Sequence, residues 1–178
     1  IGTKCWVVKL STDGSVSWQK AYGGSIADWA TDIRQTADGG YVITGYTQSF
    51  APTGTSNVLL LKLTPTGTVE WAKAYGGLDG VSASARSVRQ TSDGGYVVAG
   101  QVQATPSSSL DAHVMRLTSS GGIVWQKRYG GSGPANDMGQ SILETSEGGF
   151  MLAGVTASFG AGNYDIWLLN LASDGAVI

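Results

Sequence analysis

Short apolar runs, each closed by a turn rich in Gly, Asp and Ser, follow one another along the whole chain, with no competing stretch of helical period. The first run, Cys5–Leu10, returns as Val58–Leu63, Ala112–Leu117 and Ile166–Leu171. Both alternating faces of these runs are apolar except at one polar place, held by Lys9, Lys62, Arg116 and Asn170. The pattern predicts strands covered on two sides, as in sheets stacked face to face. A turn with glycine at a fixed place follows each: Ser11–Ser15, Thr64–Thr68, Thr118–Gly122 and Ala172–Gly175. The second predicted strand carries Trp-x-x-x-Tyr and ends at paired glycines, which break a strand and permit close backbone approach. Its aromatics are Trp18 and Tyr22, Trp71 and Tyr75, and Trp125 and Tyr129. The third strand is Asp32–Thr36, Ser87–Thr91 and Ser141–Thr145. An Asp-Gly-Gly or Glu-Gly-Gly turn leads from it into the fourth, which begins at Tyr41, Tyr96 and Phe150.

The tryptophans recur at about 54 residues, so the chain is one unit written three times with the start of a fourth. The units run over 4–56, 57–110 and 111–164, with a partial unit at 165–178. Such units do not bury their apolar surface alone, and the whole chain is expected to form one array of four-stranded antiparallel sheets. Because the period would place the next tryptophan just beyond Ile178, a larger array, in a longer chain or in several chains, is expected to complete it.

Composition adds exclusions. The 27 glycines and a charged fraction of 13% suit a turn-rich β protein, and 42% hydrophobic residues suffice for a core. A net charge of −2 provides no basic footprint for nucleic acid. No apolar run is long enough for a membrane-spanning helix. Cys5 is the single cysteine, which excludes an intrachain disulfide and suits a small apolar residue in a strand.

Leu-x-x-x-Gly-x-x-x-Trp, present as Leu10, Gly14, Trp18 and as Leu63, Gly67, Trp71, resembles the repeat of PQQ-like and WD40-like β-propellers. The fuller signature joins Trp-x-x-x-Tyr-Gly-Gly to Ile-x-x-Thr-x-Asp-Gly-Gly-Tyr. It is similar to tandem repeats of secreted and surface proteins of bacteria and archaea. The resemblance covers essentially the whole chain. It implies propeller blades, an extracellular, cell-surface or periplasmic location, and in many members no catalytic activity. A β-trefoil is the alternative fold. The chain departs from the pattern where Asn57 and Lys4 stand in the place of Asp111 and Asp165, and where Ala83 stands in the place of Asp28 and Asp137.

The functional expectation is a non-catalytic interaction or scaffold module working through protein partners or self-association. The long connections Thr47–Ser56, Ala104–Leu110 and Ala157–Asn163 vary most between copies, and Phe50, Pro52, Pro106, Leu110 and Phe159 are the candidates for an interaction rim on them. The competing reading of these connections is solvated linker. The alternative function, implied by the resemblance, is a fragment of a quinoprotein oxidoreductase binding PQQ and Ca²⁺.

Other chemistry is weaker. Asn163 and Asp165, among glycines, form a Ca²⁺ candidate without the acidic density of an EF-hand. Asp28 and Asp32, four places apart on one strand, would stand about 13 Å apart, too far for a glycosidase pair. The expected role of Asp28 and Asp137 is to bond turn amides. His113 falls mid-strand with no second histidine and reads as a core or edge residue. Lys9, Lys62 and Arg116 are expected to pair with acids such as Asp32.

Overall fold

A computed structural model describes residues 2–77, 80–103 and 109–178. The strands are β1 (Cys5–Leu10), β2 (Val16–Tyr22), β3 (Asp28–Gln35), β4 (Tyr41–Thr47), β5 (Asn57–Leu63), β6 (Val69–Tyr75), β7 (Ala83–Gln90), β8 (Tyr96–Gln103), β9 (Leu110–Leu117), β10 (Ile123–Tyr129), β11 (Asp137–Glu144), β12 (Phe150–Thr156) and β13 (Asp165–Leu171). Among the described residues all strand pairings are antiparallel, in four sheets: β1-β2, β3-β4-β5-β6, β7-β8-β9-β10 and β11-β12-β13. No sheet among the described residues closes into a barrel.

Sheet and sequence unit are out of phase by two strands. Each complete sheet takes strands three and four of one unit and strands one and two of the next, so the junctions at 56/57 and 110/111 lie inside sheets. The chain passes from sheet to sheet after the Tyr-Gly-Gly segments. The longer connection after Thr47 joins strands that are neighbours in one sheet.

The sheets stack in a row, and alternation along each strand serves two neighbours at once. In β5, Val58 and Leu60 pack toward β7 and β8 of the third sheet, while Leu59, Leu61 and Leu63 join Cys5 and Val7 of the first. In β8, Tyr96, Val98 and Val102 face the second sheet, whereas Val97 and Ala99 join Ile142, Phe150 and Leu152 of the fourth. This double service explains why strand one of the unit is apolar on both faces.

The third strands begin earlier than the pattern predicts, at Asp28, Ala83 and Asp137. Their register slips between Ala30 and Asp32, Ala85 and Ser87, and Gly139 and Ser141. A bulge inverts the in/out alternation, so the first half of the strand has the wrong parity to be read with the second. At the bulge the Thr31 hydroxyl donates to the Ala85 carbonyl of the next sheet at 2.8 Å.

Candidate functional site

The Trp-x-x-x-Tyr strands clamp the following sheet. Trp18 Nε1 donates to the Pro65 carbonyl at 3.2 Å, Lys20 Nζ to that of Thr66 at 3.0 Å and the Tyr22 hydroxyl to that of Gly67 at 2.6 Å. The Tyr75 hydroxyl reaches Gly121 O at 2.7 Å. Trp125 Nε1 reaches Ser173 O at 3.0 Å and the Tyr129 hydroxyl Gly175 O at 2.7 Å. Each tryptophan also meets a ring of the next sheet edge-on: Trp18 on Tyr41, Trp71 on Tyr96 and Trp125 on Phe150. Burial pushes the Tyr129 phenol up to about 12 and raises Tyr22 and Tyr75 as well. The hydroxyls therefore stay protonated donors. The clamped turn needs its glycine: Gly67 has φ 74°, and a Cβ there would stand 3.0 Å from the Trp18 ring.

A second repeated device anchors the connections. Asp28 is fully buried; its carboxylate accepts from Gly24 N–H at 2.7 Å, from the Ser49 hydroxyl at 2.7 Å and from the Thr47 hydroxyl. Asp137 repeats this with Gly131 N–H at 3.0 Å, Ser158 Oγ at 2.6 Å and Thr156 Oγ1 at 2.5 Å. Burial opposes ionisation, but the hydroxyl and amide donors outweigh it and hold both carboxyls below the usual range. In the sequence of the middle copy, Ala83, Val102 and Ala104 stand in the places of the acid and the two hydroxyls.

The recurring cations take partners other than the expected one. Lys62, 4% exposed, bonds Asp38 at 2.7 Å and Glu70 at 3.0 Å, and Arg116 bonds Asp93, all within one sheet. Lys9 lies over the Tyr41 ring. Asp32 instead pairs with Arg34 and with Arg89 of the next sheet. Asp32 shares with Lys62 the face of its sheet that turns to the third sheet, but it stands on the edge strand β3, two strands from β5, where Arg34 and Arg89 reach it. The Thr91 hydroxyl, the Gly95 amide and Arg116 hold Asp93 down at about 2.

The other candidates separate. Asp28 is sealed from solvent, while Asp32 is held by arginines. The Asp111 carboxylate approaches that of Asp137 across Gly130: a Cβ at Gly130 would stand 2.5 Å from one and 2.9 Å from the other. Burial raises the Asp111 carboxyl, yet Asp137 is fully enclosed, so the two do not face a common substrate. Asn163 is exposed and Asp165 half-buried at the start of β13. Among the described residues no three His, Cys, Asp or Glu gather to hold a metal ion. Cys5 is buried beside Asp28, and burial pushes its thiol up to about 11. His113 is 2% exposed and its Nε2 has no hydrogen-bond partner. Burial lowers its pKa to about 4, leaving it neutral near pH 7.

On the rim, Phe50 and Phe159 occupy equivalent positions and are 57% and 49% exposed. Phe159 leans on Trp167 with ring centres 5.7 Å apart. Pro52 is exposed and its carbonyl closes a turn with Thr55. Leu110 is half-buried as the first residue of β9, and its N–H donates to Asn136. Pro106 lies outside the described residues.

Sequence reasoning missed the two ends of the row. Trp6 is 68% exposed and Ile33 44%, on the side of the first two sheets that faces away from the rest. At the other end Ile166 is 86% and Leu168 64% exposed, where the equivalent Val58 and Leu60 are buried. Comparison of strand-one copies with their neighbour count would have found them, because an interior strand needs a sheet on each side. No helix among the described residues is long and apolar enough to cross a membrane. Neither protein-family models nor curated proteins give a match to this chain.

Proposed function

We propose that this chain is a non-catalytic interaction or structural module, a propeller-like array of blades acting outside the cytoplasm through its end faces, strand edges and rim loops. The observation that carries this reading is the pair of exposed apolar faces. Trp6 and Ile33 at one end, and Ile166 and Leu168 at the other, occupy positions whose interior counterparts are packed between sheets. Exposed surfaces of this kind mark interaction sites. The rim phenylalanines Phe50 and Phe159 add a second apolar feature on the connection side. Many of the polar groups that recur with the period are engaged in holding sheet to sheet or turn to strand, in keeping with a scaffold. Recovery of the native assembly, followed by Phe50→Ala/Phe159→Ala and Trp6→Ser/Ile166→Ser variants, tests the reading. Loss of the bound partner in one pair is expected, and retention of every partner by both pairs refutes it. Absorbance change and dye reduction on titration with PQQ and Ca²⁺ would favour the quinoprotein alternative instead.

A further inference from the structure

Residues 165–177 repeat residues 4–16 place for place: Trp167 matches Trp6, Leu171 matches Leu10, Asp174-Gly175 matches Asp13-Gly14, and Val177 matches Val16. The two segments also fold alike. Ser15 N–H donates to Asp13 Oδ1 and Ala176 N–H to Asp174 Oδ1, and the turn amides of Gly14 and Gly175 close on Ser11 and Ala172. They differ in surroundings. β13 is paired to β12 and its turn is clamped by Trp125 and Tyr129, but it carries no fourth strand beside it. β1 has its fourth strand, β2, yet its other edge is unpaired. No clamp reaches the Ser11–Gly14 turn among the described residues.

From this, resting on the interaction-module reading, we infer that a second copy of this chain is the occupant of both ends. In that assembly β12 of one copy takes β1 of the other in place of β13, giving sheets of β11-β12-β1-β2 composition. Two copies then supply β1–β12 twice and close a ring of six four-stranded sheets, within the usual range for radial closure. Every contact needed already exists inside the chain. The register of β12 with β13 sets Gly154 opposite Trp167 and Ala153 opposite Leu168; transferred to β1, it sets them opposite Trp6 and Val7. Trp6, now 68% exposed, takes the seat of Trp167 against Phe159. Trp125 and Tyr129 pass from the 172–175 turn to the 11–14 turn. The groove of about 330 Å³ between Trp6–Val8 and Ala30–Ile33 receives β11 and β12, and Ile33 becomes enclosed like its equivalents Val88 and Ile142, which are 0% and 1% exposed. The apolar and turn positions that the exchange gives up are replaced by the same residue type or a close one, while Asp165 gives way to Lys4 and Asn170 to Lys9.

Sulfur cross-links read the exchange directly in the full chain, in a Cys5→Ala background. Val7→Cys/Ala153→Cys places thiols opposite one another only across the new junction, since the two positions belong to the first and last sheets of the row. Ala153→Cys/Leu168→Cys places them opposite only in the unexchanged chain. The expected result is a covalent dimer of the first variant, with the 7–153 link joining differently isotope-labelled chains. Light scattering of the unmodified protein should show a slow, concentration-dependent rise from 18.4 kDa to twice that mass. The inference is overturned if the first variant stays monomeric on oxidation while the second closes internally, or if the unmodified protein stays at one chain mass up to about 200 µM, a concentration at which even weak pairing with Kd near 10⁻⁴ M populates a dimer. A monomer whose Phe50 and Phe159 still hold another protein would sink the exchange and leave the interaction-module reading standing.

Discussion

Replacing Asp137 by alanine removes one carboxylate and takes the acceptor from three donors, while the fourth, Ser158 N–H, keeps Thr156 Oγ1 at 3.0 Å. Thr156 is 2% exposed, so its hydroxyl has no route to water; Ser158 Oγ and Gly131 N–H are partly buried. An unsatisfied buried donor costs about 1–3 kcal/mol. With Thr156 bearing the full penalty and the others part of it, Asp137→Ala should destabilise the fold by about 3 kcal/mol. In sequence the middle copy of the repeat dispenses with the acid and both hydroxyls together, carrying Ala83, Val102 and Ala104. There the Gly77 N–H, equivalent to that of Gly131, turns to the Val81 carbonyl at 3.1 Å. The triple variant Asp137→Ala/Thr156→Val/Ser158→Ala copies that solution except for the glycine amide, and should cost only about 1 kcal/mol. Equilibrium urea unfolding measures both. For an m-value of about 2 kcal/mol/M, the midpoint falls by about 1.5 M in the single variant and about 0.5 M in the triple one, at unchanged m. A triple variant no more stable than the single one would refute the argument that stranded donors, and not the loss of the acid, carry the cost.

His113 makes stability pH-dependent. Its folded pKa of about 4 lies below the unfolded 6.5, so the unfolded chain binds the proton first; this contribution is complete above pH 6.5 and is lost as pH falls toward 4. The loss amounts to about 3 kcal/mol at most, and in His113→Leu, the residue found at Leu59, urea midpoints should lose that segment of pH dependence. Tyr75→Phe strands the Gly121 carbonyl and should cost about 1–2 kcal/mol, more than Tyr22→Phe at the less buried first junction, as read by thermal or urea unfolding. Asp38→Ala/Glu70→Ala leaves the Lys62 ammonium buried and unpaired, at a cost of about 3 kcal/mol, and adding Lys62→Leu should recover most of it in the same measurement.

Much of the fold was legible because each element has a local cause. Asp93-Gly94 makes its turn from its own side chain, with Gly95 N–H bonded to Asp93 Oδ1, so the hairpin reads off three residues. The site was less legible. Arg116 finds Asp93, and Asp32 on the edge strand β3 finds Arg89 of the next sheet's edge strand β7, through positions across and between sheets that the one-dimensional pattern does not show. The clamp of Tyr75 on Gly121 joins residues 46 apart, in the second strand of one repeat and the turn before the second strand of the next, where the sequence shows only that both recur.

Period, strand count, turn chemistry and two-faced burial were determined by the sequence itself, since all follow from side-chain alternation and the backbone freedom of glycine. Only the tertiary structure decided where one sheet ends and the next begins. A four-strand repeat looks the same from any starting strand, so its period carries no phase. The phase comes from hydrogen bonding between strand edges: β4 pairs with β5 across the longer connection, while the short Tyr-Gly-Gly segment, held by Asp28 or Asp137, carries the chain across to the next sheet. That same phase leaves one edge of β1 without a described partner strand at one end of the row and a face of β13 exposed at the other.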